Sequence, residues 1–166
     1  MYLEKARARE TDLYRVGCGR MVPCTLGEVA QLEQQIGHAL PAAYREFLLW
    51  MGRSGGGFLT GSDCFYRSLA DIQEGAKELL QEDHFSGTLP DNAFVFFMHQ
   101  GYQFNFFLLN EGDDPPVYLY FEEIPTSTSF ALICPCFSDF ILTEIDGYVK
   151  LKESMKARRD VHPRKT

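Results

Sequence analysis

No stretch of this chain is apolar for anywhere near the roughly 18 residues that a bilayer-spanning helix needs, although 45% of its 166 residues are hydrophobic. The N-terminus, Met1-Tyr2-Leu3-Glu4-Lys5-Ala6-Arg7, carries charge where a secretion signal would hold its apolar segment. The expectation is a cytoplasmic protein with no membrane partner. Five cysteines, Cys18, Cys24, Cys64, Cys134 and Cys136, lack both the paired spacing of a structural zinc site and the two-residue separation of a redox pair. Odd in number and without an export signal, they read as reduced thiols. Gly55-Gly56-Gly57 is followed by no Gly-Lys-Ser/Thr, so a tight connection after a helix replaces a phosphate cradle. No internal repeat is visible. Lysine and arginine are missing between Ala93 and Phe121. A stacking platform for single-stranded nucleic acid interleaves cations with its rings, and that reading fails here.

What is present in that same stretch organises the rest. Phe94-Val95-Phe96-Phe97-Met98, then Phe104-Asn105-Phe106-Phe107-Leu108, then Val117-Tyr118-Leu119-Tyr120-Phe121 are aromatic and β-branched runs separated by Gly101 and by Glu111 to Pro116. They predict a three-strand antiparallel meander whose first turn is a hairpin. Length gives one domain with a core of its own, and aromatics at 14% exclude disorder for the body.

Ahead of the meander, Thr25-Leu26-Gly27-Glu28 forms a capping box, Val29, Leu32 and Ile36 share a face, and Gly37 closes the helix. Pro41 opens a second helix with Tyr44, Phe47, Leu48 and Met51 on its stripe. Short strand pieces are expected at Phe58-Leu59 and Cys64-Phe65-Tyr66. Ser68 and Asp71 suggest another capping box before Leu69, Ile72, Ala76 and Leu79/Leu80. Residues 124–129 read as a turn-rich connector, and Phe130 to Ile133 as a short strand or the start of a helix. Ser138 is placed to cap a final helix carrying Phe137, Phe140, Ile141, Ile145 and Tyr148. Three regions result. Residues 1–24 are an N-terminal extension with a frayed helical start. Residues 25–149 are the domain. Residues 150–166 are a basic tail that continues that helix briefly and then becomes disordered.

Charge is divided unevenly. Residues 1–9 carry net +2, residues 10–149 carry six bases and 20 acids, and residues 150–166 carry net +5. A body this acidic repels phosphate backbones and attracts basic partners, although acidity also serves solubility. Glu111, Asp113 and Asp114, then Glu122 and Glu123, form an acidic edge at the two ends of the third strand. Tyr102, Tyr118 and Tyr120 are candidate exposed anchors beside it. His84 and His99 stand without a nucleophile motif and read as surface or turn histidines.

Leu32-Glu33, Ile36-Gly37, Leu40-Pro41, Tyr44 and Phe47-Leu48, with Gly55-Gly56-Gly57 soon after, resemble the opening signature of the SUKH superfamily. The later order is similar too: a helix near Leu69 to Leu80, His99-Gln100-Gly101, an aromatic strand, Pro116-Val117-Tyr118, and Ser129-Phe130 or Phe137-Ser138-Asp139-Phe140 before the last helix. The chain departs from the pattern in carrying Arg53-Ser54 before the glycines. The resemblance implies an α+β fold, a mostly antiparallel sheet covered by several helices, with no catalytic residues and no cofactor. It also implies a protein partner. Bacterial members of the superfamily are immunity proteins that neutralise a polymorphic toxin, often a nuclease, and fungal members regulate cell-wall assembly. The expected function is a non-catalytic immunity-type protein that binds a basic toxin domain. The alternatives are a regulatory or scaffold module, and a small hydrolase or metal-binding protein using His84, His99 or the cysteines.

Overall fold

The computed structural model describes residues 1–122 and 129–161, with side chains as far as residue 158. Helices α1 (Glu4–Ala8) and α2 (Glu10–Arg15) precede α3 (Leu26–Ile36) and α4 (Ala42–Met51). The pieces β1 (Gly56–Leu59) and β2 (Ser62–Asp63) follow, then a 3-10 turn at Tyr66–Ser68 and α5 (Leu69–Glu82). The meander is β3 (Ala93–His99), β4 (Gln103–Leu108) and β5 (Val117–Phe121), joined by β6 (Ala131–Cys134) and closed by α6 (Phe137–Val161). One sheet runs β2-β3-β4-β5-β6, antiparallel throughout. Each strand therefore lies beside its neighbour in sequence, as the expected α+β fold requires.

Both faces of the sheet are filled with rings. Tyr44 of α4 stands 5.3 Å from Phe107 and 5.4 Å from both Phe94 and Phe137, centroid to centroid. Phe137 and Phe140 of α6 reach Phe96 at 5.2 and 5.4 Å. The opposite face stacks Phe104 on Tyr120 and Phe106 on Tyr118, with Phe130 edge-on to Phe106 at 4.8 Å. Such offset and edge contacts add to the area term that drives burial. Helix α5 lies along β3, where β2 pairs only with Met98 and His99. Gln73 occupies the edge left open: its Oε1 accepts from Val95 N–H at 3.0 Å and its Nε2 donates to Val95 O at 2.6 Å. The side-chain amide stands where a neighbouring strand would otherwise bond.

The expected capping box at Thr25 is complete, and Gly37 closes α3 at φ +70. Glu28 does more than cap. While its Oε2 accepts from Thr25 N–H, its Oε1 accepts from Arg53 Nε at 2.9 Å and Nη2 at 2.7 Å. The guanidinium and the Thr25 amide hold this carboxyl down to about 2. Arg53, the departure from the family pattern, thus ties the glycine loop to the start of α3.

Three expectations are corrected. Ser68 makes no capping box; the 3-10 turn has already brought it to φ -96, ψ -8, and its hydroxyl bonds back to Phe65 O. Cys64-Phe65-Tyr66 is no strand, because the pairing stops at Asp63. Helix α6 does not give way near Lys150 but runs 25 residues to Val161, roughly 37 Å. The first 24 residues contribute to the core: Leu3 and Leu13 are fully buried, and Cys18, Met21 and Cys24 nearly so. Arg9 pairs with Asp146 and Arg15 with Glu153, fastening this segment to α6. The 124–129 connector lies outside the described residues except at Ser129, and β6 settles the 130–133 alternative as a strand. Among the described residues no helix is long and apolar enough to cross a membrane.

Candidate protein-binding surface

At the end of the sheet where β3 begins, the α3–α4 connection, α5 and the loop after it enclose a half-open groove of about 740 Å3. That volume lies in the range of ligand-binding clefts. Its floor is apolar: Ile36, Leu80, Phe85, Leu89, Phe94 and Leu109. Local chemistry builds it. Helix α5 ends with Phe85 N–H donating to Leu80 O and His84 N–H to Gln81 O, which turns Phe85 back beside Leu80. The turn requires a left-handed residue, and His84 takes that position at φ +51, where glycine is more usual.

Helix α5, which forms one wall of the groove, carries mostly negative charge. Asp71, Glu74, Glu78 and Glu82 are exposed at helical spacing along α5. Lys77 is the only base on that helix and is paired with Glu74 at 2.8 Å. Asp91 lines the groove mouth, and Glu111 and Asp113 follow shortly after its floor residue Leu109. The α5 row was missed in the sequence because its acids alternate with core positions. Plotted on a 3.6-residue period, the same stretch would have separated them.

The residues singled out from sequence fall in different places. Glu111, Asp113 and Asp114 lie before β5 and Glu122 after it, so the strand holds them apart by roughly 17 Å; Glu123 lies outside the described residues. Glu111 is exposed and accepts from Tyr118 OH at 3.0 Å. Asp113 is exposed, yet its backbone carbonyl takes the Ala43 amide in the first turn of α4. Asp114 caps α6: its oxygens accept from Ser138 N–H at 2.8 Å and Ser138 Oγ at 2.6 Å. Ser138 therefore does not cap the helix as expected but is itself capped. Of the loop's carboxylates, that of Asp114 thus serves the N-terminus of α6, while Asp113 serves that of α4 through its backbone carbonyl.

Of the three tyrosines, Tyr120 is not exposed. It is 8% accessible, its hydroxyl donates to Asp83 at 2.6 Å, and burial pushes its pKa up. Tyr102 and Tyr118 are half-buried, Tyr102 edge-on to His99 and Phe121 at the hairpin end.

The groups named for catalysis or metal binding are dispersed. Cys24 stands beside Tyr44, Cys18 beside Tyr148, and Cys134 with Cys136 near Ser138. Burial pushes the Cys24 thiol to about 11 and the Cys64 thiol to about 12. Neither is thiolate at neutral pH. Among the described residues no group of three His, Cys, Asp or Glu side chains could hold a metal ion. His84 is exposed. His99 Nδ1 and Ser62 Oγ are hydrogen-bonded at 2.8 Å, a contact that follows from their being cross-strand partners.

Glu144, on α6 one turn beyond Phe140, has its pKa raised by burial alone. A raised folded-state value means the folded chain holds this proton more tightly than the unfolded one. Stability is therefore lost as pH rises from the ordinary value of 4.5 through the folded value. Glu144→Gln is expected to raise Tm at neutral pH, with the gain disappearing near pH ~4, where both forms are protonated. Thermal melts across that range check it; a gain that is the same at both ends would mean that charge is not its source.

Residues 23–143 match the family model described as SMI1 / KNR4 family (SUKH-1). No curated protein matches the chain. The matched residues run from just before the Thr25 cap into the first turns of α6, and so take in the groove and the sheet that forms its floor. On that match over most of its length, with the antiparallel sheet and helices described above, the chain belongs to the SUKH-1 family.

Proposed function

We propose that this protein is a cytoplasmic, non-catalytic immunity protein that binds a basic toxin domain and blocks it. The observation that carries the reading is an exposed acidic surface: Glu74, Glu78 and Glu82 along α5, with Asp91, Glu111 and Asp113 in the loops. A domain that acts on nucleic acid needs a basic cleft, and an acidic surface competes for that cleft by the same attraction. Family membership supports a protein partner, and the acidic body supports its sign.

The test is co-expression with the C-terminal domain of a secreted protein encoded beside this gene. The wild-type chain is expected to protect the cell and to co-purify with that domain. Replacing Glu74, Glu78 and Glu82 by lysine should slow association on the order of tenfold at low salt and flatten its salt dependence. Unchanged association kinetics would remove α5 from the interface. Failure of the wild-type chain to protect against or bind the neighbouring domain would overturn the immunity reading.

A further inference from the structure

Helix α6 runs past the segment it packs against. Arg15 holds Glu153 through an ion pair, but residues 153–158 are all exposed, and the helix continues to Val161, roughly 12 Å beyond Glu153. This end lies outside residues 23–143, which match the family. Its charge is opposite to the body's. Lys150, Lys152, Lys156 and Arg158 are basic, and the acid among them, Glu153, is already taken by Arg15. None of these bases has an ion-pair partner among the described residues. Leu151 is 57% exposed and Met155 43%, one turn apart. At about 100° per residue they share a side of the helix, bordered by Lys152 and Arg158. The result is uncovered apolar surface set among cations.

The complement is on the same chain. Asp71, Glu74, Glu78 and Glu82 are exposed on α5, within an arc of roughly 80°. Among the described residues only Glu74 of this row has an ion-pair partner, Lys77. The two rows match in scale: roughly 16 Å from Asp71 to Glu82 and 12 Å from Lys150 to Arg158, with Lys152 and Lys156 at the same four-residue step as Glu78 and Glu82. Both are exposed at once, so neither covers the other within one chain. We propose that the end of α6 docks on the α5 row of a second copy, with Lys152 and Lys156 over Glu78 and Glu82 and with Leu151 and Met155 against the methylene stems of those acids. A bilayer takes a basic helix by burying a broad apolar face rich in Trp, Phe or Leu, which two residues do not make. An anionic bilayer or a nucleic acid would also run on beneath the body, where residues 10–149 carry six bases against 20 acids. Two copies joined through a projecting helix keep the rest of their acidic surfaces apart. The two surfaces differ, so the contact is head-to-tail and either closes as a reciprocal pair or continues from copy to copy. It needs only this chain and stands apart from the immunity reading.

The experiment is sedimentation velocity of the full chain over a range of concentrations at low and at high salt. The average sedimentation coefficient should climb with concentration at low salt and fall to the monomer value near ~1 M salt, where charges are screened within about 3 Å. Lys152→Glu with Lys156→Glu in one variant, and Glu78→Lys with Glu82→Lys in another, should each weaken self-association at least about tenfold while leaving the melting curve in place. Mixed together, the two variants should associate again, because the acidic helix end of one then meets the basic row of the other. A monomer at every concentration would overturn the proposal, as would association that ignores salt or survives either reversal. No recovery on mixing would overturn the pairing of these two rows. A chain that stays monomeric yet sediments with phosphatidylserine vesicles would give the end of α6 to a lipid surface and remove the second copy.

Discussion

Gly56→Ala is expected to cost on the order of 3–5 kcal/mol of stability, a large share of the total for a domain of this size. Two effects coincide at this position. Its φ is +63, and a β-carbon would lie 2.2 Å from Gly19 O and 2.6 Å from Gly19 C. Those atoms are backbone, so they cannot swing away as a side chain would. The approach is fixed by pairing between the N-terminal segment and the glycine loop: Gly19 N–H donates to Gly56 O at 2.6 Å, and Val22 exchanges bonds with Ser54. Pushing them apart would break those bonds and loosen Met21 and Cys24, both nearly fully buried. Gly57→Ala is the control. It shares the conformational strain at φ +109 but has nothing within 4 Å, so its cost should be about 1–2 kcal/mol. Urea unfolding of the two variants compares them directly. Equal losses would mean that backbone conformation, and not the close approach of residue 19, is what demands glycine at position 56.

Phe137→Ala should destabilise by about 3–5 kcal/mol, seen as a fall in Tm of roughly 10 °C or more for a chain of this length. Phe137 is fully buried and is the ring through which α6 touches both α4 and the sheet. Its centroid lies 5.4 Å from Tyr44, 6.0 Å from Phe47, 5.2 Å from Phe96 and 6.1 Å from Phe107. Truncation leaves a cavity among rings whose backbones are held by strands and helices, so the site has little freedom to collapse. Phe137→Leu should cost distinctly less, because most of the volume is retained. A loss below about 1 kcal/mol for the alanine variant would show that α6 does not seat on the sheet in solution.

Legibility in the sequence followed the reach of each signal. Thr25 with Glu28, Gly37, and the stripes Tyr44-Phe47-Leu48-Met51 and Leu69-Ile72-Ala76-Leu79 are short-range patterns, and all appear where periodicity put them. The meander was legible because its apolar runs are strong and its breaks short. Residues 150–161 were misjudged because Leu151 and Met155 remain exposed there, leaving no core-facing stripe to read. Apart from the Arg15–Glu153 pair, that end of α6 rests on the intrinsic preference of Lys, Glu, Met and Arg. Leu3 and Leu13 were too sparse to announce themselves, since each fills a gap left by elements distant in sequence.

The candidate surface was legible only in sign. A count of carboxylates gives net charge, but it cannot separate Asp114, spent on the Ser138 amide and hydroxyl, from Glu78 and Glu82 in solvent. Nor could it show that Tyr120 turns inward to Asp83. The groove was invisible for a further reason. Its floor gathers Ile36, Phe85 and Leu109 from three separate parts of the chain, and only the fold brings them together.

The strand order follows the order of synthesis, so each hairpin can close as soon as its second strand is made. The covering of the sheet does not keep pace. Phe96 and Phe107 acquire Phe137 as a neighbour only when the start of α6 has been translated. Until then a growing chain presents a ring-covered face with part of its lid missing, a species prone to self-association. Delays in completing α6 would prolong that exposure, since Phe137 and Phe140 can cover Phe96 only once that helix has left the ribosome.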